Sequence, residues 1–368
     1  MRDDRESWVF GIEASAVLDR RRMQIPKRLE PFMHLPSLFR KDAAVAETER
    51  YETINGRGVH YYDIGGQHSK VMLLIHGAAS TAERSWSPHM QHFERAGFRV
   101  IAPDLPGFGR SERMAKRHSM ETYSEFIDGF IKHLGIKSMV LMGSSLGGGV
   151  AVRYSLENPG NVSRLILVDS YGFYSNPLGR AAHLGLQLFS PKGMKLVVEQ
   201  LYRVPPRFVS MAINIGIKDR KITKEEAHSV SIFFHEDKVN ESTFEFVKDD
   251  ISHPGTIRMH GKDITVPSLK PVDKVKSDYR DRIAELNRSG IRILVIHGID
   301  DRLIPHEKAR EAYALLENAT IAPMPGGHMA HKDNPHIFNQ IVVEFLLEGE
   351  ARGHDMLHKV MHGLRRTA

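Results

Sequence analysis

Residues 138–149 read SMVLMGSSLGGG, an apolar run that breaks into two serines and then three glycines. The stretch Ser138 to Met142 is short and ends at Gly143, which predicts a buried strand of a parallel sheet. From Leu146 the segment LGGGVAVRYSLENPG carries apolar residues at helical spacing as far as Pro159. The serines therefore sit at a strand-to-helix turn. Within it, Gly143-Ser144-Ser145-Leu146-Gly147 fits G-x-S-x-G, where small residues let strand and helix approach while one hydroxyl is lifted clear of the backbone. By position the lifted residue is Ser145, not Ser144. Taken alone the pattern is common in loops; a strand before it and a helix after it are what give it weight.

A serine hydroxyl is a weak nucleophile until a base takes its proton, and the base needs a carboxylate to orient it. The loops that follow the later strands supply both. After IRILVIHG (291–298) comes Ile299-Asp300-Asp301-Arg302-Leu303-Ile304-Pro305, and after TIAPM (320–324) comes Pro325-Gly326-Gly327-His328. Chain order is serine, aspartate, histidine, and ligands of open α/β sheets collect at the carboxyl ends of strands.

Around these loops, strand and helix patterns alternate. Two strand-like halves flank Asn55-Gly56, a strong hairpin signal. KVMLLIHG (70–77) is a continuous apolar strand, and SWSPHMQHFERAGF reads as a helix with Ser87 as cap and Pro88 in its first turn. RVIAPDLPGFGRS (99–111) is a strand with a glycine-rich loop, METYSEFIDGFIKHLG is a helix, and RLILVDS (164–170) is a strand. Such alternation predicts a mostly parallel sheet covered by helices on both faces. From 171 to 287 the strand runs stop, and LGRAAHLGLQLF, GMKLVVEQLYRV and EEAHSVSIFFHE look helical, so this segment is expected to be a helical cap inserted between strands. The expected division is an N-terminal extension over 1–49, a core over 50–170 and 288–347, the cap over 171–287, and a basic C-terminal tail over 348–368.

The 368 residues carry 26% charged and 41% hydrophobic side chains, an ordinary globular composition. With no cysteine, disulfides, thiolate metal sites and a cysteine nucleophile are excluded. The opening MRDDRESWVF lacks the apolar stretch of a signal peptide and no run is long enough to span a bilayer, so a cytoplasmic location is expected. The net charge of +6 is dispersed and has no recognition motif beside it, which argues against nucleic acid. Basic residues gather in LDRRRMQIPKR and HKVMHGLRRTA, which leaves peripheral contact with acidic lipid heads open. Oligomeric state is not legible.

Together these segments resemble the α/β-hydrolases, in the cap-bearing branch that includes esterases, lipases, epoxide hydrolases and C–C bond hydrolases. The resemblance covers about residues 50 to 347 and rests on His76-Gly77, DLPGFGRS (104–111), GSSLGG (143–148), HGIDDRLIP (297–305) and GGHMAHKDNP (326–335), in the family's order. It implies Ser145 as nucleophile, His328 as general base and then acid, and Asp301 as orienting carboxylate. The family's G-x-x-D spacing from Gly298 selects Asp301 over Asp300. Asp169 is a rival because some members take the acid from that strand end. His331, next in line to His328, reads as a surface or pocket-wall residue. The oxyanion hole falls to the backbone N–H groups of Ala78 and Leu146. His76 reads as structural, DLPGFGRS as a packing loop, and Trp86 as a buried aromatic rather than a pocket wall.

Epoxide hydrolases and haloalkane dehalogenases place aspartate at the elbow, so Ser145 implies attack on acyl carbon. The expected activity is hydrolysis of a carboxylic ester with a medium-sized hydrophobic acyl or alkyl group, monoacylglycerol-like, through an acyl-enzyme on Ser145. No metal or organic cofactor is expected, and the partner is a small-molecule ester substrate. The alternative is a C–C bond hydrolase of the meta-cleavage type. Those enzymes carry HGGGPG, an Asn before the nucleophile and a Trp after the histidine, where this chain has HGAAS, Ser144 and Met329. A non-catalytic binder on the same scaffold is a further alternative.

Overall fold

The apolar run Met139–Ser144 forms a strand in the middle of an eight-stranded sheet. A computed structural model describes residues 48–78, 80–114, 118–173, 254–259, 262–267, 278–301 and 304–347, with backbone alone for the two strands of 254–267. The strands are β1 (Glu49–Ile54), β2 (Arg57–Ile64), β3 (Lys70–Ile75), β4 (Phe98–Pro103), β5 (Met139–Ser144), β6 (Val162–Val168), β7 (Pro254–Met259), β8 (Lys262–Pro267), β9 (Arg292–Gly298) and β10 (Ala319–Met324). The helices are α1 (Ala82–Arg95), α2 (Met120–His133), α3 (Leu146–Glu157), α4 (Ile283–Arg288), α5 (His306–Tyr313), α6 (Ala330–Asp333) and α7 (Pro335–Leu347).

The main sheet has the order β1-β2-β4-β3-β5-β6-β9-β10. Only β2 runs against the others: it pairs antiparallel with β1 and β4, and every other neighbouring pair is parallel. β1 and β2 meet at Asn55, whose φ of 51° and Gly56's of 76° give the hairpin turn that Asn-Gly signals. After β4 the chain crosses β3 to enter β5, so the winding direction reverses between β3 and β5. Loops leaving the carboxyl ends of two such strands splay apart and open a crevice, and Ser145 directly follows β5.

Both faces of the sheet are buried at its centre, where β3, β5, β6 and β9 are near-continuous apolar runs. Leu73, Ile75 and Leu141 face one core with α2, α3, α4 and α5, whereas Met72, Leu74 and Met142 face a second core with α1 and α7. Burying one such side chain contributes about 1.5–3 kcal/mol. Helix α2 opens with a capping box in which Ser119 and Thr122 satisfy each other's backbone N–H groups.

Two expectations change. The helix after β3 begins at Ala82, with Thr81 as its cap, not at Ser87. The Thr81 hydroxyl accepts from the Arg84 N–H, and the buried face of Ala82, Ser85 and Trp86 carries the helix through Pro88 despite its missing donor. The segment expected to hold helices and no strand contains the antiparallel hairpin β7–β8. The helical stretches expected between 171 and 253, the extension up to residue 47 and the tail from 348 lie outside the described residues. No helix among the described residues is long and apolar enough to cross a membrane.

Candidate active site

Ser145 is built by strain at the turn from β5 to α3. Its φ is 51° with ψ −117°, a combination sparsely populated by L residues and held only where surrounding structure over-determines it. The determinants are visible. Ser145 N–H donates to Val168 O at 2.9 Å, and its carbonyl accepts from Tyr171 N–H at 3.0 Å. A Cβ on Gly147 would collide with the carbonyl oxygens of Ile75 and His76, and one on Gly143 with the Gly147 backbone. The two glycines of the motif are therefore needed for close approach of α3 to β3 and β5.

His328 leaves the end of β10 and reaches the same crevice. Its Nε2 lies 2.9 Å from Ser145 Oγ, and its Nδ1 lies 2.8 Å from Asp301 Oδ2. A carboxylate at Nδ1 selects the tautomer that carries its proton there, so Nε2 is left to accept from the serine hydroxyl. Asp301 follows β9 and is buried, and its other oxygen accepts the Ile304 N–H at 2.9 Å. Burial pushes the Asp301 pKa up, but the imidazoles of His297 and His328 and the Ile304 N–H outweigh it, so it lies well below the usual carboxylate range. Burial pulls the His328 pKa down and Asp301 pulls it up, with a net raise.

The rival residues take other places. Ser144 is a buried strand end, and Asp300 is exposed. Asp169 sits at the end of β6 with φ 46°. One of its oxygens accepts the Gly298 N–H at 2.7 Å, and burial pushes its pKa up to about 7. Its other oxygen is buried and makes no hydrogen bond, to His328 or to any other described residue. His331 is corrected: it is fully buried rather than at the surface or a pocket wall, with its ring 5.3 Å from that of Trp86 and 5.7 Å from that of His89. Residue 331 lies on α6, whose inner face turns into the second core, and there burial holds its pKa well below the ordinary histidine value. Trp86 is buried, as expected.

Ser145 adjoins the segments that carry the two expected oxyanion donors. Leu146 N–H belongs to the first turn of α3, ahead of the helix's own hydrogen-bond ladder. Ala78 follows Gly77, where a Cβ would stand 3.2 Å from Ser145 Cβ. His76 is structural: its Nδ1–H donates to Gly77 O at 2.7 Å and its Nε2 accepts the Leu105 N–H at 2.9 Å.

Sequence reasoning missed His297. It is fully buried on β9, its Nε2 donates to Ile304 O at 2.8 Å and lies 3.3 Å from Asp301 Oδ2. A lone imidazole inside the apolar run IRILVIHG was the available signal. Asp169, His297 and Asp301 are the one group of three His or acidic residues among the described residues whose ligand atoms lie within 4.8 Å of one another. Each already serves a hydrogen bond of the loops at this sheet edge.

Curated relatives align along most of the chain. The chain is 24% identical over 316 residues to the 2-hydroxy-6-oxo-6-phenylhexa-2,4-dienoate hydrolase of Burkholderia cepacia, covering 82% of this chain and 97% of that protein. It is 27% identical over 311 residues to the 2-hydroxy-6-oxononadienedioate/2-hydroxy-6-oxononatrienedioate hydrolase of Cupriavidus pinatubonensis, covering 82% and 96%. Among solved structures, a meta-cleavage product hydrolase from Pseudomonas fluorescens IP01 superposes with a TM-score of 0.54 at 20% identity, covering 83% of this chain and 99% of that one. These relatives correct the expectation of an ester substrate. The compounds in their names contain no ester bond, and what water can split in them is a carbon–carbon bond beside a ketone. A serine at the elbow narrows the target to acyl carbon but does not distinguish an oxygen leaving group from a carbon one. A family model described as the alpha/beta hydrolase fold matches residues 70–335; the chain belongs to that family and is an enzyme of the hydrolase class.

Proposed function

We propose that this protein hydrolyses the C–C bond next to the 6-oxo group of a 2-hydroxy-6-oxohexa-2,4-dienoate, the ring-fission type of substrate, with Ser145 as nucleophile, His328 as base and acid, and Asp301 as orienting carboxylate. The observation that carries the reading is the near full-length similarity to curated hydrolases of such dienoates, and the Ser145–His328–Asp301 contacts supply a mechanism.

The chemistry sets the sequence of steps. In the dienol form the carbon to be released is vinylic and a poor leaving group. Moving the 2-hydroxyl proton to C5 creates a 2-oxo compound with a saturated C5. Ser145 Oγ then bonds to C6 while its proton passes to His328 Nε2, and the C6 oxygen takes the negative charge between the Ala78 and Leu146 N–H groups. The C5–C6 bond breaks, its electron pair delocalises to the C2 oxygen, and that oxygen takes the proton from His328. Water, deprotonated by His328, releases the acyl group from Ser145 as a carboxylic acid. Asp301 stabilises the imidazolium each time it forms.

The chain departs from the C–C hydrolase pattern at HGAAS (76–80), Ser144 and Met329, next in sequence to the proposed oxyanion donor, nucleophile and base, and the reading covers the dienoate part of the substrate whatever group C6 carries. The test is turnover of 2-hydroxy-6-oxo-6-phenylhexa-2,4-dienoate, followed by loss of its dienolate absorbance, with p-nitrophenyl esters in parallel. Release of benzoate with a higher kcat/KM than any ester supports the reading. Ester turnover with an inert dienoate refutes it.

A further inference from the structure

The connection between β3 and α1, which carries Ala78, is tied near both of its ends to two successive residues that follow β4. At the near end, His76 accepts the Leu105 N–H at 2.9 Å and donates to Gly77 O. At the far end, the Ala82 N–H donates to Asp104 Oδ1 at 2.8 Å. Asp104 is in turn gripped from the β1–β2 hairpin. His60, on β2, places Nδ1 2.7 Å from Asp104 Oδ2 and Nε2 2.6 Å from Glu49 Oε1 of β1.

A neutral imidazole carries one ring proton, so it can donate to only one of two carboxylates; at the other, a nitrogen lone pair would face a carboxylate oxygen. Both contacts are satisfied when the ring holds two protons. His60 is 3% exposed and Asp104 is 2% exposed, so their ion pair is shielded from water and sensitive to loss of that proton, whereas the Glu49 carboxylate is partly exposed. Around the ring stand Glu49 from β1, Asp104 from the end of β4, Arg110 from the loop beyond it and Tyr62 from β2 itself. The Arg110 guanidinium bonds Glu49, and the Tyr62 ring lies edge-on to His60 at 5.2 Å. Burial pulls the His60 pKa down, the two carboxylates pull it up, and the net shift is upward.

We propose that His60, clamped between Glu49 and Asp104, is a positioning residue for the oxyanion loop, holding Ala78 beside Ser145 through Asp104 and the first turn of α1. The inference rests on the reading above for the role of Ala78. When the ring gives up its second proton it can no longer donate to both carboxylates, so the clamp opens and reactivity at Ser145 falls at alkaline pH although His328 is then fully competent as a base.

The experiment uses the full-length protein and a fluorophosphonate that phosphonylates Ser145, a reaction that needs the oxyanion loop but no particular substrate. Its second-order rate is measured from about pH 6 to about pH 9.5, spanning the range in which a histidine titrates. His60→Gln is expected to slow labelling about tenfold, less than the 10²–10³ of deleting an oxyanion donor, with KM for substrate within about twofold. Glu49→Gln keeps the side-chain shape and removes one charge, so the alkaline fall should move to lower pH by about one unit; its partly exposed position makes it the folding-safe variant. Unchanged labelling rates and an unmoved alkaline limb in both variants, or His60→Gln losing stability alone, overturn the proposal. Dienoate turnover, followed alongside, judges the C–C reaction independently of the loop.

Discussion

His328 Nε2 stands 2.9 Å from Ser145 Oγ although 183 positions separate the two in the chain. The contact exists because β5 and β10 end on the same side of one parallel sheet, so each loop enters the crevice from the carboxyl end of its strand. Removing the hydroxyl removes the reaction centre while leaving a buried turn intact. Ser145→Ala is expected to lower kcat by a factor on the order of 10⁴–10⁶, while Ser144→Ala changes it by less than about tenfold. Dienoate turnover by the two purified variants checks this, with mass mapping of the fluorophosphonate label to confirm the site.

The 2.8 Å contact between His328 Nδ1 and Asp301 sets the acid limb of activity. The base works as a neutral imidazole, and Asp301 holds the His328 pKa above its ordinary 6.5 against the opposing effect of burial. Activity should therefore fall as pH drops through a value above 6.5, where His328 takes up a proton. Asp301→Asn withdraws the charge, so the half-point moves to lower pH, and it also releases the tautomer, lowering kcat by on the order of 10³–10⁴. A pH profile of kcat/KM for both proteins decides it; a half-point that does not move would contradict the assignment.

Asp169 should reveal itself in stability. Its folded pKa is raised by burial from 3.8 to about 7, so between those values the folded state holds a proton that the unfolded chain releases. Stability from this group is full below about pH 4 and lost as pH rises through about 7. Asp169→Asn keeps an acceptor for Gly298 N–H, tolerates the positive φ and never charges. Relative to the natural protein it should gain with rising pH, by at most about 4 kcal/mol at three units of 1.36 kcal/mol each. Urea unfolding at about pH 5 and about pH 8.5 measures it, and a difference independent of pH would sink the prediction.

Gly147 is the residue of the elbow with least room to change. A methyl there meets the Ile75 and His76 carbonyls, which are main-chain atoms at the end of β3 and cannot turn aside as a side chain would. Gly147→Ala is expected to destabilise by about 2 kcal/mol or more and to slow labelling of Ser145 in the protein that still folds. Thermal unfolding and labelling of the soluble fraction test the two effects separately.

Most of the core was legible because parallel strands buried on both faces are written as continuous apolar runs, and β3, β5, β6 and β9 are such runs. Boundaries were less legible where capping competes with proline: Ser87-Pro88 looks like a helix start, yet the Thr81 cap and the buried Ala82–Trp86 turn begin α1 earlier. The surface reading of His331 failed for a related reason. Its spacing from His328 was visible, but the direction in which α6 turns depends on packing against α1 and α7.

The sequence by itself determined the alternation of strands and helices, the elbow around Ser145, the order of the three polar groups and the choice of serine over carboxylate chemistry. These are local properties, carried by apolar period, glycine placement and loop composition. The spacing from Gly298 already favoured Asp301, and the tertiary structure brings that carboxylate against His328; only the tertiary structure decided that His297 supports it and that His60 ties a hairpin to the connection between β3 and α1. Those relations join residues on different strands, and their distances follow from sheet order and crossover geometry, which no stretch of chain encodes alone.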